Sequence, residues 1–239
     1  MRTYIFKVFT NNRQHFYKIH DKQAKYTLLL VAVLLMLFIY CVLFPVSSSV
    51  SYHASLKAGY TLQGIDNLFD YAVPLVLSLI INYAFFSDYK STIREVNQFY
   101  SANMFNYSIL YKWLYYNGVA TIGSMLCSML YYRNINVFSL ESIWFMMRTV
   151  PNLWLLTALF IGVARVMKNA YSALFICITY YALDYLSGSR LFSYLSLGAH
   201  SNNFYYTYSV NYYIVNRVLL IFAVFILLYL SCRSTKKWL

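Results

Sequence analysis

Apolar residues gather into six runs along the chain, at residues 26–44, 70–86, 109–131, 150–167, 171–186 and 213–232, with polar and basic residues between them. A helix needs roughly 20 mainly apolar residues to cross the hydrocarbon of a bilayer. Each run is therefore expected to form a membrane-spanning helix, the second and fifth being the shortest. Pro45 is expected to end the first. Pro151 is expected in the first turn of the fourth, where a missing N–H does no harm. Pro74 falls one turn into the second, a place for a kink.

Three stretches outside these runs carry a pattern of their own. In residues 1–25, Ile5, Val8, Phe9, Phe16 and Ile19 fall on one side at helical spacing, with Lys7, Asn11, Lys18 and Lys22 elsewhere around the wheel. A helix lying in the inner membrane interface has this pattern; a basic tail is the other reading. In residues 87–108, Ile93, Val96, Phe99 or Tyr100, and Asn103 or Met104 recur every three to four residues, as in a short amphipathic helix. Residues 187–212 are long for a link between neighbouring helices, and their apolar part, 191–197, makes a re-entrant outer segment one reading. The fold class expected is an all-α membrane protein, one membrane domain over residues 1–239, with 233–239 as a cytoplasmic tail.

Composition agrees. Of the 239 residues, 61% are hydrophobic and 11% charged, against roughly 25% charged in soluble domains. The 27 tyrosines suit a membrane–water boundary. A net charge of +12 raises nucleic-acid binding, but the charges sit between apolar runs and at the ends, so no nucleic-acid partner is expected. Their placement orients the chain instead. With the amino terminus inside, inner segments hold 14 of the 19 Lys and Arg, and outer segments hold five: Lys57, Arg133, Arg148, Arg190 and Arg217. That bias is expected to place both termini in the cytoplasm. The basic first 25 residues followed by a run of about 20 do not resemble a cleaved leader. Cys41, Cys127, Cys177 and Cys232 lie in or beside apolar runs, without metal-ligand spacing, and read as buried thiols.

Catalytic chemistry is hard to place. Gly59 and Gly64 have the glycine spacing of a phosphate-binding loop, but Ile65 and Asp66 follow; Gly118 and Gly123 precede Ser124 and Met125 inside a run. No ATP site is expected in this chain, and ATP and Mg would belong to a partner. Ser124 has no histidine companion, because His15, His20, His53 and His200 all lie outside the runs. No catalytic residue and no metal site are expected. Ionisable groups within a bilayer default to functional candidates. Asp70, Asp184 and Arg217 are expected near outer ends, within reach of water, and Arg165 near the inner end of the fourth run, where it can snorkel. Asn82 is the best buried polar candidate, for a helix–helix hydrogen bond or a substrate contact. Asn82, Asp184 and Arg165 are thus pathway candidates, in a passage suited to amphipathic cargo.

The order of parts (interfacial helix, six spans, an amphipathic inner helix between spans two and three, a long outer link between five and six) resembles the permease subunits of type-2 ABC exporters. The local stretch that carries the resemblance is residues 88–112: Asp88 after the second span, Ser91–Thr92, the amphipathic helix, and Lys112 opening the third span. The family pattern has Gly where Ser91 stands, and a Pro late in the segment that is absent here. The resemblance implies a cytoplasmic ABC ATPase docking on a coupling helix made by Asp88, Thr92, Ile93, Arg94, Glu95, Val96, Phe99, Tyr100 and Met104. It also implies a second permease chain, identical or different, surrounding membrane lipid, and an outer gate with Leu191, Tyr194, Asn202 and Asn203 as candidates. Peptide, toxin or antibiotic export would be the activity.

Two other classes stay open. A substrate-capturing subunit of a vitamin uptake system matches in size, but its Ala-x-x-x-Ala docking pattern is missing, since Ala32 is the only alanine in the first run. A non-transporting immunity factor, sensor or scaffold is the third. Topology separates the premise from its rivals: reporters active only in the cytoplasm are expected to work when fused after Lys90 or Leu239 and to fail after Lys57 or Arg133. An odd number of crossings would overturn the arrangement.

Overall fold

The computed structural model describes residues 24–45, 68–86, 88–89, 104–131, 140–188, 190–198 and 210–232, the side chains of 104–108, 140–147 and 210–213 excepted. All regular structure among them is helical. Six long helices stand on the six apolar runs: α1 (Ala24–Leu43), α2 (Leu68–Phe86), α3 (Met104–Tyr131), α4 (Leu140–Met167), α5 (Ala170–Leu186) and α6 (Val210–Cys232). Four helical stretches are long and apolar enough to cross a membrane: Ala24–Leu43, Leu68–Phe86, Arg148–Met167 and Ile214–Cys232. Helix α5 is apolar but has 17 residues, a turn less than a bilayer asks for. Helix α3 is long enough at 28 residues, but Asn106, Lys112, Asn117 and several Ser and Tyr dilute it. The expected interfacial helix in 1–25 falls almost wholly outside the described residues, as do the coupling segment 90–103 and the tail 233–239.

The helices alternate in direction. Asp70 of α2 meets Arg148 of α4, and Tyr89, just beyond α2, meets Phe160, so α2 and α4 run parallel. Arg217 of α6 reaches Asn152, while Gly162 faces Leu227 and Ser231, so α6 runs with them. The odd helices run the other way: Tyr26 of α1 lies against Tyr83, Phe69 against Tyr131 of α3, and Phe86 against Tyr171 of α5. The start of α1 and the end of α6 therefore lie at one end of the bundle, with Lys112 and Arg165. Asp70, Arg148, Asp184 and Arg217 lie at the other.

Helix α4 is the axis. Leu153, Ala158, Phe160, Ile161 and Ala164 are fully buried, and the small residues let α6 approach closely. The helix starts ten residues before the expected fourth span, so Pro151 lies inside it rather than in its first turn. The tight passage from α4 to α5 takes a left-handed residue, Lys168 (φ 54°), and an Asn169 side chain that accepts from Tyr171 N at 2.8 Å to cap α5.

The periphery is apolar and uncovered. Only 17% of the apolar window of α1 is buried, and Leu28, Met36 and Leu43 stand 73%, 69% and 65% exposed. Such a surface is costly in water, at about 25 cal/mol per Å², and compatible with lipid. Helix α1 is fastened by shape: Gly123 of α3 admits the Leu34 side chain, and a Cβ there would stand 2.5 Å from Leu34 Cδ1. Gly123→Val is expected to lower stability by about 1–3 kcal/mol through overpacking, and Leu34→Ala in the same chain to recover part of it. Thermal unfolding in detergent reads both.

Candidate functional site: a buried polar network around a strap of backbone

At the Arg148 end, polar groups from α2, α4, α5 and α6 converge with no exposure to speak of. Asp70, Asn152, Asp184 and Asn216 are 0% exposed, Arg217 1% and Arg148 2%. Asp70, Asp184 and Arg217 therefore do not reach water as their places near run ends led one to expect. Arg148, expected in an outer link, belongs to α4.

Pro74 explains one side of the network. It has no N–H, so carbonyls of the preceding turn lack their usual partner, and α2 opens there as a wide turn over Leu68–Ala72. The loosened carbonyls are taken by α4: Thr149 Oγ1 donates to Phe69 O at 3.0 Å and Asn152 Nδ2 to Asp70 O at 2.8 Å. The Asp70 carboxylate receives Arg148 as a two-pronged pair, Nε to Oδ1 and Nη2 to Oδ2, both 2.9 Å. Two parallel charge-assisted bonds satisfy both ions where water is excluded. Pro151 loosens α4 in the same way, and Arg217 Nη1 lies 3.4 Å from Arg148 O in that turn.

The other side holds residues 190–198, a strap between α5 and α6 built of turns and a short 3₁₀ stretch, Ser193–Leu195. Gly188 (φ 59°) turns the chain away from α5. Helix side chains then supply the strap with the hydrogen bonds that regular structure would have given it. Leu197 N donates to Asp184 Oδ2 at 2.8 Å; Leu197 O accepts from Asn152 Nδ2 at 2.9 Å and Arg217 Nη2 at 2.8 Å. Asn216 Nδ2 donates to Tyr194 O at 2.7 Å and Ser196 O at 3.1 Å, and the Tyr180 hydroxyl donates to Leu195 O. Asp184 also accepts from Ser196 Oγ and the Tyr71 hydroxyl. The strap passes so close to α2 that a Cβ at Gly198 would overlap the Tyr71 hydroxyl. Asn152 joins the two sides: its amide gives both protons, and its Oδ1 receives Arg217 Nη1 at 2.6 Å.

Of the site candidates named from the sequence, Asp184 is in this network through its carboxylate and Tyr194 through its carbonyl. Leu191 and Tyr194, read as gate candidates, are 58% and 48% exposed, while Ser196 and Leu197 are the residues tucked inside at 0%. Asn202 and Asn203 lie outside the described residues. Asn82 is 1% exposed, and neither atom of its amide has a partner among the described residues. Arg165 is half-buried at the opposite end. Asp70, Arg148, Asn152 and Asn216 were missed as a set. The signal was there: acidic, basic and amide residues recur near one end of several runs.

At the Lys112 end, Lys112 Nζ bonds Asp88 Oδ2 at 2.6 Å and Ala84 O at 2.7 Å, and lies 4.9 Å from the centre of the Phe85 ring. The amine thereby caps a last-turn carbonyl of α2 and ties α2 to α3 on either side of residues 90–103. Thr92, Ile93, Arg94, Glu95, Val96, Phe99 and Tyr100 lie outside the described residues, as does the Met104 side chain. Between the two ends, α3 is held to α4 by Trp113 Nε1 on Thr157 Oγ1 (2.9 Å) and Trp154 Nε1 on Thr121 Oγ1 (3.0 Å). Among the described residues no group of three or more His, Cys, Asp or Glu forms a metal cluster, and the four cysteines are reduced.

No family model matches this sequence, and no curated protein or solved structure matches it.

The Asp70–Arg148 pair offers a direct measurement. Arg148→Met or Asp70→Leu alone strands a buried ion and is expected to cost about 3–5 kcal/mol. The double substitution removes both charges and is expected to regain most of that loss in chemical unfolding.

Proposed function

We propose that this protein is the membrane-spanning permease subunit of an ATP-driven exporter, with six spans and both termini in the cytoplasm. It works beside a second permease chain and takes its energy from a separate ABC ATPase, which supplies ATP and Mg. Peptide, toxin, antibiotic or other amphipathic molecules are the cargo.

The Asp88–Lys112 bond carries the reading. The acid and the lysine that prompted the family resemblance stand 24 residues apart in sequence and meet at 2.6 Å. They pin the neighbouring ends of α2 and α3. A coupling helix needs such a mounting, because a push from an ATPase moves the spans only through rigid attachment. The directions of the helices support the reading as well. Alternation from α1 to α6 puts Asp88 and Lys112 at the same end as the start of α1 and the end of α6, an end that the Lys and Arg bias would assign to the cytoplasm. The buried network then lies at the outer end, with the strap as part of the gate. ATP-driven closure of the ATPase pair would shift a two-state balance between inward- and outward-open forms.

Co-purification with the cognate ATPase in detergent, followed by ATPase assays in lipid, tests this. Changing Ile93, Arg94 or Phe99 to Ala or Asp is expected to abolish association. Lys112→Gln is expected to keep the chain folded and the ATPase bound while lowering stimulated hydrolysis severalfold. A chain that stays monomeric in lipid and stimulates no ATPase would sink the proposal.

A further inference from the structure

The strap is held almost entirely by its main chain. Over residues 194–197, side chains of α4, α5 and α6 engage four carbonyls and one N–H: Asn216 takes the carbonyls of Tyr194 and Ser196, Tyr180 that of Leu195, Asn152 and Arg217 that of Leu197, and Asp184 the Leu197 N–H. One strap side chain takes part, through the Ser196 hydroxyl on Asp184 at 3.1 Å. The side chains of Tyr194 and Leu195 turn outward, 48% and 44% exposed, and Ser196 and Leu197 are fully enclosed. An acceptor for an N–H, flanked by donors for the neighbouring carbonyls, fits a short peptide with a small residue in the place of Ser196 and an apolar one in the place of Leu197.

We propose that Asp184, Asn152, Asn216, Arg217 and Tyr180 form a binding site for peptide main chain, which the protein's own residues 194–197 occupy in this structure. Two observations separate this from a permanently built-in loop. The site is not filled to its capacity: Asp184 Oδ1 and Asn216 Oδ1 are buried and accept no hydrogen bond among the described residues. Buried acceptors of this kind are nearly always satisfied, and further N–H groups of a longer ligand would satisfy these. The chain leading into the occupant is also strained, since Ser193, just before it, holds φ at 46°, a conformation costly for a residue with a Cβ. The strap is thus an internal ligand, favoured by its tether, which acts as an effective concentration of order millimolar. The site goes beyond the exporter reading and does not need it. Selection of peptide cargo is the single consequence that rests on that reading.

The test uses the full chain in lipid nanodiscs without any ATPase. The probe is the acetylated and amidated peptide Ser-Tyr-Leu-Ser-Leu-Gly, the sequence of residues 193–198, carrying a fluorophore. Leu197→Pro removes the strap's N–H to Asp184, and Ser196 already has φ −66° and ψ 141°, the region a residue before proline prefers. Leu197→Pro is expected to bind the probe at least about tenfold more tightly than the unaltered chain. Methylating the probe at its second leucine nitrogen is expected to cost about tenfold or more by removing a charge-assisted bond. Replacing its tyrosine and first leucine by alanine is expected to change affinity little. Absence of saturable binding to Leu197→Pro, or equal binding of the methylated probe, would overturn the proposal. If Leu197→Pro aggregates, hydrogen exchange of the unaltered chain decides. Millimolar probe is expected to strip protection from the Leu197 amide while leaving α4 protected, and unchanged protection at Leu197 would refute the site.

Discussion

Asn152 is where two irregular backbones meet, and its saturation is the constraint on which the Arg148 end of the bundle depends. Pro74 leaves α2 with loosened carbonyls, and the strap has no ladder of its own. One amide on α4 donates to both, at Asp70 O and Leu197 O, and accepts from Arg217. In a medium without water, a carbonyl that loses its partner costs several kcal/mol. The amide therefore fixes where α2, α4, α6 and the strap stand relative to one another. A hydrophobic side chain of equal volume would pack there and satisfy none of them.

Charge is handled by the same logic. Asp70 and Arg148 neutralise each other through two parallel bonds, while Asp184 and Arg217 act through the Leu197 peptide, one on its N–H and the other on its carbonyl. Two acids and two bases thus share one enclosed region. The arrangement explains how a chain with 19 Lys and Arg and 7 Asp and Glu keeps ionic groups inside a helical bundle. It also separates the two ends physically. The Arg148 end is closed by a dense and fully buried web. At the Lys112 end, Lys112 joins α3 to α2 through Asp88 and the Ala84 carbonyl, its own side chain 9% and that of Asp88 26% exposed.

The helices were legible to within a few residues because their signal is local: an apolar run contains all the information that says it will be a helix. The main exception is informative. The fourth run was read as starting near Pro151, whereas α4 begins at Leu140, because residues 140–149 are too mixed to register as apolar. The site was less legible. Asp184 stood out as ionisable, but depth along a run says nothing of which face is covered, so burial was misjudged for it, Asp70 and Arg217. Leu191 and Tyr194 drew attention for their side chains, which are exposed, while the contacts run through the backbone of residues 194–197, because the main chain makes them and sequence patterns report side chains.

What the amino-acid sequence determined by itself was the all-helical class and the place of the apolar helices, properties of short windows. Which faces meet was decided only in three dimensions. Asp70 and Arg148 are 78 residues apart, Tyr71 and Asp184 113, and no local pattern couples such positions. Their pairing follows from the need to satisfy every buried polar group at once, a condition on the packed whole rather than on any one segment.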